Sequence, residues 1–347
     1  MPTTITKSIG TTGRDYSTIA SFEAAIPADI TASDEIWVGE CYNDSEFLVT
    51  AAISFSGSTT DATRYIVLKT AAGQSFRDHA NKLTNALRYN QSNGVGIRTT
   101  TSYIDLISVA EDNVRFEGLQ IQNAGTNGSG NYAWTKSGTR DGLQVRNCII
   151  ERSGAGHGVL IEGANSFVVN STCVMYTNGS TIGNGITSQN SAAAVIACTV
   201  LRPTDATTVG GIGARRSYNT PLFQDVAVFG DFTTHFGAGA PYHASSGYNA
   251  TDAATAPGSN NQTSLTTADQ LEDTASLTTY DLRAKSGGAL VNNGTRANTY
   301  TNDEDIVGQA RSTTTPTIGA WEYVAAGGLS IPIAAYHYNH HLGSMAS

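Results

Sequence analysis

Val145-Arg-Asn-Cys-Ile-Ile150, Ser171-Thr-Cys-Val-Met175 and Val195-Ile-Ala-Cys-Thr-Val200 can be laid over one another with cysteine under cysteine, at steps of 25 residues. Two flanking segments, Phe116-Glu-Gly-Leu-Gln-Ile121 and Phe223-Gln-Asp-Val-Ala-Val228, extend the series. One column then reads Leu119, Cys148, Cys173, Cys198 and Val226, and the column two places on reads Ile121, Ile150, Met175, Val200 and Val228. Both are apolar in every row, and alternation at period two makes each segment a strand with one buried face. An offset series, Gly158-Val-Leu-Ile161, Gly185-Ile-Thr187 and Gly211-Ile-Gly213, supplies a second strand to each repeat. Two or more strands per turn of about 26 residues, with Gly and Asn at the corners, predict a β-solenoid. Like residues then stack on successive coils, and the three cysteines form an internal ladder rather than a metal site, since ligands in a row do not converge.

Outward from this block the pattern continues with more irregular turns. Ile36-Trp-Val38, Phe47-Leu-Val49, Ala52-Ile-Ser-Phe55, Tyr65-Ile-Val-Leu68, Gly96-Ile97 and Tyr103-Ile-Asp-Leu-Ile107 read as further coils. A solenoid end exposes core and unpaired backbone, so it needs a cover. Tyr16–Ile26 offers one: Ile19, Phe22 and Ile26 fit one face of a short helix, with Asp15 or Ser17 as N-cap and Pro27 as its stop. Residues 231–300 predict longer loops and weaker coils, and regularity returns at Asp305–Arg311 and Ile318–Tyr323. The expected organisation is an entry segment with a capping helix over 1–35, a solenoid over 36–323 that is most regular at 114–228, and a separate tail over 324–347.

Composition narrows the function classes. Charged residues are 14% of the 347, against the roughly 25% usual in globular domains. The formal net charge of −9 and the lack of clustered Lys and Arg argue against a nucleic-acid surface. No run approaches a membrane span. Met1-Pro-Thr-Thr-Ile-Thr6 has neither a basic start nor an apolar core, so no signal peptide is expected. Four cysteines in a chain this long do not make a disulfide framework.

Gly118-Leu-Gln-Ile-Gln-Asn123 and Val145–Ile150 resemble the right-handed parallel β-helix repeats of the pectate-lyase-like superfamily. Asp305-Ile-Val-Gly-Gln-Ala-Arg311 followed by Ile318-Gly-Ala-Trp-Glu-Tyr323 is similar to the ending of many β-helix proteins of bacteria and their phages, and Ile9–Phe47 is similar to the opening of phage-encoded ones. The resemblance covers about residues 8–323 and implies the fold. Its functions range over lyases, hydrolases, adhesins, tailspikes and capsid-bound fibres.

Chemistry was sought among the columns. Gly156-His157-Gly158 matches one element of the polygalacturonase-like set, but no Asn-Thr-Asp or Asp-Asp accompanies it, so His157 reads as a turn residue opening a strand. Arg202-Pro203 is the one echo of a pectate lyase, without an acidic cluster for calcium. Asp141, Glu151 and Glu162 are the other catalytic candidates, weighed against a plain role as outward solubilising residues. Tyr132 and Trp134, in the Gly125–Thr139 excursion, are candidate glycan-binding aromatics. No nucleotide loop or Gly-x-Ser-x-Gly elbow is present, and no cofactor is expected.

These readings favour a non-enzymatic virion structural protein (a capsid decoration, head fibre or tailspike-like β-helix), made in the cytoplasm and displayed on the virion or another extracellular surface. A surface polysaccharide is a candidate ligand. A polysaccharide lyase or glycoside hydrolase is the first alternative and a bacterial adhesin the second. In the tail, Ile331, Pro332, Ile333, Tyr336 and Tyr338 suit an extended segment that docks on a capsid protein or a neighbouring subunit, with a homotrimer as the favoured oligomer. His337, His340 and His341 have a spacing open to a metal at a symmetry axis, and Gly343–Ser347 is open to a vector origin.

Overall fold

A computed structural model describes residues 1–125, 132–136, 141–152, 156–176, 183–190, 192–204, 211–216, 220–237, 241–296 and 303–325. Three parallel sheets wind along one axis and form a right-handed parallel β-helix. The first sheet carries Thr3–Ile9, Glu35–Cys41, Ile66–Thr70, Val114–Glu117, Gln144–Arg146, Phe167–Val169, Ala194–Ile196 and Leu222–Gln224. The second carries Phe47–Leu48, Gly96–Thr99, Gln120–Asn123, Ile149–Arg152, Thr172–Met175, Thr199–Arg202, Ala227–Gly230 and Ala250–Thr251. The third carries Ile53–Phe55, Ile107–Val109, Tyr132–Lys136, His157–Ile161, Ile186–Ser188, Ile212–Arg216 and Thr234–Phe236. The strands of the coils thus run from Thr3 to Thr251, starting before residue 36 and stopping short of 323.

The corner from first to second sheet is two residues long in every coil from Gly118 to Val226, and its first residue is left-handed: Gly118, Asn147, Asn170, Ala197 and Asp225 have φ of 72, 52, 49, 50 and 57°. Gly and Asn tolerate that conformation best, which explains the corner residues visible in the repeat.

The cysteine column needs a correction. Ile150 pairs with Cys173 and Cys173 with Val200, so the residue level with Cys148 and Cys198 is Ser171. The coil steps at this position are therefore 23 and 27, not 25 and 25. Cys148, Cys173 and Cys198 are nevertheless all fully buried in the main core, one per coil. Their thiols are free, and burial pushes those of Cys148 and Cys198 up to about 12.

The glycine series is corrected likewise. Val159 pairs with Ile186 and Ile186 with Ala214, so the third member is Gly213 rather than Gly211. A Cβ at Gly158 would meet Cys173 Sγ, at Gly185 Val200 Cγ1, and at Gly213 Val228 Cγ1. The glycines exist because the third sheet starts against the second sheet's inner column with no room for a methyl. Gly185→Ala is expected to cost about 1–3 kcal/mol through overpacking. Urea denaturation should show it, and an unchanged midpoint would refute the tight contact.

At the N-terminal end the covering helix is shorter than the sequence suggests, Ile19–Glu23, and its N-cap is Thr18 rather than Asp15 or Ser17. Thr18 Oγ1 accepts the Ser21 N–H at 3.0 Å, while Asp15 is occupied by the backbone and hydroxyl of Ser8. Ile19 and Phe22 plug the coil end, with the Phe22 ring 6.3 Å from Trp37. At the other end Phe223 meets Phe236 and Tyr242 edge-on, at 6.4 and 5.4 Å.

The described residues of 265–296 and 303–323 do not form coils. They run along the outer face of the second sheet, where Leu271, Tyr280, Leu282, Ile306, Val307, Ile318 and Trp321 bury Ile149, Val174, Leu201, Ala227 and Phe229. From Ile149–Arg152 onward the second sheet is thus buried on both faces, whereas Leu48 on its first strand is exposed. Among the described residues the covering segments pair with one another twice, in the antiparallel strands Leu271–Asp273 and Asp281–Ala284 and in an antiparallel bridge from Glu304 to Ala310. The buried Arg311 side chain locks this arm. Its two terminal nitrogens donate to the carbonyls of Thr317, Gly319 and Ala320, to Asn170 Oδ1 on the solenoid, and to Glu322 Oε2 at 3.4 Å. Asp305 accepts the N–H groups of Val307, Gln309 and Glu322 and closes the same knot. Gly319 N–H donates to Asp225 O, and Thr295 N–H to Asp225 Oδ1, both at 2.9 Å. The sequence similarity at Asp305–Tyr323 therefore marks a buttress.

Candidate functional site

Gln122 and Glu151 face outward from neighbouring strands of the second sheet and pair in register. Loop 81–93 and the arm around Leu277 and Thr278 rise beside them and enclose a cleft of about 490 Å³. Glu151 forms part of this cleft but is only 3% exposed. It therefore points outward as expected, yet solubilises nothing. Its Oε1 accepts the Tyr89 N–H at 2.7 Å and the hydroxyl of the buried Tyr280, and its Oε2 accepts from Gln122 Nε2 at 2.7 Å. Burial raises the Glu151 pKa, with the three donors and nearby Arg88 acting the other way. Burial and Glu151 together hold the Tyr280 proton well above its ordinary value. Tyr89 donates its hydroxyl to Glu46 at 2.7 Å.

Amides dominate the rest of the lining, with Asn81, Asn85, Asn90 and Asn93 on the loop. Asn85 is 4% exposed; its Oδ1 accepts the Leu87 N–H, and its Nδ2 has no hydrogen-bond partner. Arg88 stands half-buried with its guanidinium 5.9 Å from the Tyr280 ring centre. It forms no ion pair among the described residues. The cleft can therefore offer donors, acceptors and one positive charge to a polyhydroxylated ligand. Glu151 is the one carboxylate in its lining.

The other sequence candidates lie elsewhere. Asp141 and Glu162 fall on successive coils at the corner between third and first sheets. The Asp141 N–H donates to Asp112 Oδ1 and its Oδ1 accepts the Ala164 N–H at 2.8 Å, so it braces that corner. His157 opens the third-sheet strand His157–Ile161, as the sequence suggested. Its Nδ1 accepts the Asn184 N–H at 2.8 Å, and burial lowers its pKa to about 4, helped by Arg215 and Arg152. It is a neutral structural acceptor at pH 7. Tyr132 and Trp134 belong to a regular third-sheet strand instead of a loop, and their side chains lie outside the described residues. In the tail, Ile331, Pro332, Ile333, Tyr336, Tyr338, His337, His340 and His341 also lie outside them. Among the described residues no group of His, Cys, Asp or Glu could hold a metal, and no helix is long and apolar enough to cross a membrane.

Sequence reasoning missed Asn85, Arg88, Tyr89 and Tyr280. Gln122 was in view inside a quoted strand, one coil below Glu151, but nothing local to either residue announces the loop and the arm that meet over them.

No protein-family model matches the chain, and no curated protein matches it. Solved structures similar to it include pectate lyase Pel9A, at 12% identity over 93% of this chain and 97% of that one, with a TM-score of 0.39. A pectin methylesterase from Aspergillus niger is similar at 14% identity over 74% of this chain and 85% of that one, with a TM-score of 0.37. The fold rests on the three sheets described above.

Proposed function

We propose that the chain is a non-catalytic virion structural protein, a decoration, head-fibre or tailspike-like β-helix, that binds a surface glycan without cleaving it. The observation that carries the non-catalytic half is the single carboxylate in the cleft lining. Most glycoside hydrolases use two carboxyl groups about 5–9.5 Å apart across one sugar. The cleft lining supplies Glu151 alone, and both its oxygens are already taken by donors. The virion half is supported by the sequence resemblance of Ile9–Phe47 to the opening of phage-encoded β-helix proteins and by a chain in which charged residues are 14%.

The purified chain is expected to release no reducing sugar or unsaturated product from pectate, alginate or neutral polysaccharides, and to be found by mass spectrometry in virions from the source culture. Turnover that disappears in Glu151→Gln would overturn the non-catalytic reading. Absence from purified virions would overturn the structural one.

A further inference from the structure

We propose that the cleft over Glu151 is built for an acidic oligosaccharide, with the ligand's carboxylate on Arg88 and its hydroxyls on the asparagine loop. The inference rests on the binding reading above and names the ligand class. Two unmet demands in the same cleft carry it. The first is Asn85 Nδ2, a buried donor without a partner among the described residues, in the lining of a polar cleft. A buried unmatched donor is costly, and native proteins nearly always satisfy one with protein, water or ligand. The second is Arg88, half-buried and unpaired where the nearby carboxylate is already saturated. Arg88 is the one cationic side chain in the cleft lining. Its planar fork matches a carboxylate bidentately.

The remaining lining favours a sugar over a simple anion. Asn81, Asn90 and Asn93 spend part of their amide capacity inside the loop, Asn81 Nδ2 on Asn93 Oδ1, Asn81 Oδ1 on His79 and Asn90 Oδ1 on the Ser92 N–H. The amide capacity that remains, with the Thr84 and Thr278 hydroxyls, suits a polyol edge. A volume of about 490 Å³ falls within the range of specific small-ligand sites, roughly 300–1,000 Å³, and suits a short oligosaccharide. The cleft is open at the surface, as an internal stretch of a longer glycan requires. It sits on the second sheet's outer face, beyond the reach of Asp141, Glu162 and His157.

The test uses the full chain and matched pairs that differ in one carboxylate: lactose with 3′-sialyllactose, and cellobiose with its glucuronate-terminated counterpart, each titrated calorimetrically. At least one acidic member should bind tenfold or more tighter than its neutral partner. Arg88→Gln should erase that preference, and Arg88→Lys should keep part of it. Asn85→Leu should weaken the acidic ligand at least tenfold. Thermal melts matching the parent confirm that each variant is folded. The proposal is overturned if neither acidic sugar binds the folded parent, if acidic and neutral members bind alike, if Arg88→Gln changes nothing, or if inorganic phosphate displaces the sugar at equal concentration. Any of these leaves the non-catalytic reading standing, whereas polysaccharide turnover would sink that reading without touching the affinity result.

Discussion

Arg311→Ala should lower the unfolding free energy by about 3–5 kcal/mol, the usual cost of removing one partner from a buried charged network. In the folded chain this guanidinium satisfies three carbonyls, Asn170 Oδ1 and Glu322, and it lies beside the Asp305 and Asp225 carboxyls. Burial lowers its pKa while those three acids hold it up. Removing it leaves buried carbonyls short of a donor and takes the cation away from carboxyls that keep only their backbone N–H donors. The arm should then loosen before the coils do, baring Ile149, Val174, Leu201 and Phe229. Denaturation followed by both Trp321 fluorescence, read as the difference from a Trp321→Phe control because Trp37 and Trp134 also emit, and β-sheet circular dichroism checks this: the Trp321 transition should move to lower denaturant first. Arg311→Lys should recover little, because one ammonium cannot reach acceptors on both the arm and the solenoid. A loss under about 1 kcal/mol in Arg311→Ala would show that apolar burial alone holds the arm.

Asp225→Asn should flatten part of the pH dependence of stability. Asp225 is buried at the left-handed corner under the arm, with Thr295 N–H on one carboxyl oxygen and no partner on the other. Burial raises its pKa from 3.8 to about 7, with Glu322 adding to the rise and Thr295 and Arg311 opposing it. A raised carboxyl keeps its proton in the folded chain where the unfolded chain has lost it. Its contribution is therefore present in full below pH 4 and is lost as pH climbs to about 7. Three units correspond to about 4 kcal/mol. The facing groups are Arg311, Glu322 and, through Arg311, Asp305. Asp305 and Glu151 are raised in the same sense, so the wild-type slope has several sources, while Asp15, Asp29, Asp44 and Asp61 are lowered and oppose it. The readout is the variant-minus-parent difference, which should shift in favour of Asn by about 4 kcal/mol between pH 4 and pH 7.5. A difference that stays flat across that range would place the Asp225 pKa near its ordinary value.

The inner columns were legible because each coil repeats the same apolar residue types at the same place, and the two-residue corner keeps them in step. The slip at Cys173 has a physical reason: Cys173 and Met175 are both apolar and two apart, so the row can be shifted by two without breaking the alternation. Only the length of the adjacent corner decides, and periodicity does not weigh it. The expectation of one buried face per strand fails on the second sheet, and the trace it passed over is in Ile149-Ile150, Cys173-Val174, Val200-Leu201 and Val228-Phe229, where neighbours on opposite faces are both apolar. That signal says something covers the sheet, but not what. The cleft was illegible for the same reason: Tyr280 reaches Glu151 across 129 residues, and no local pattern encodes such a meeting.

The corner between first and second sheets has a consequence for how such a chain can change. One residue inserted there would shift the following strand by one place and turn its core side chains outward. The second-to-third corner, by contrast, separates Gln120–Asn123 from Tyr132–Lys136, yet Ala227–Gly230 from Thr234–Phe236 by only three residues. Length can drift freely at that second corner while the fold stays in register at the first. Diversity in what the molecule presents is thereby uncoupled from the geometry that keeps it standing, so foreign peptides grafted at the second corner should be carried without disturbing the stack.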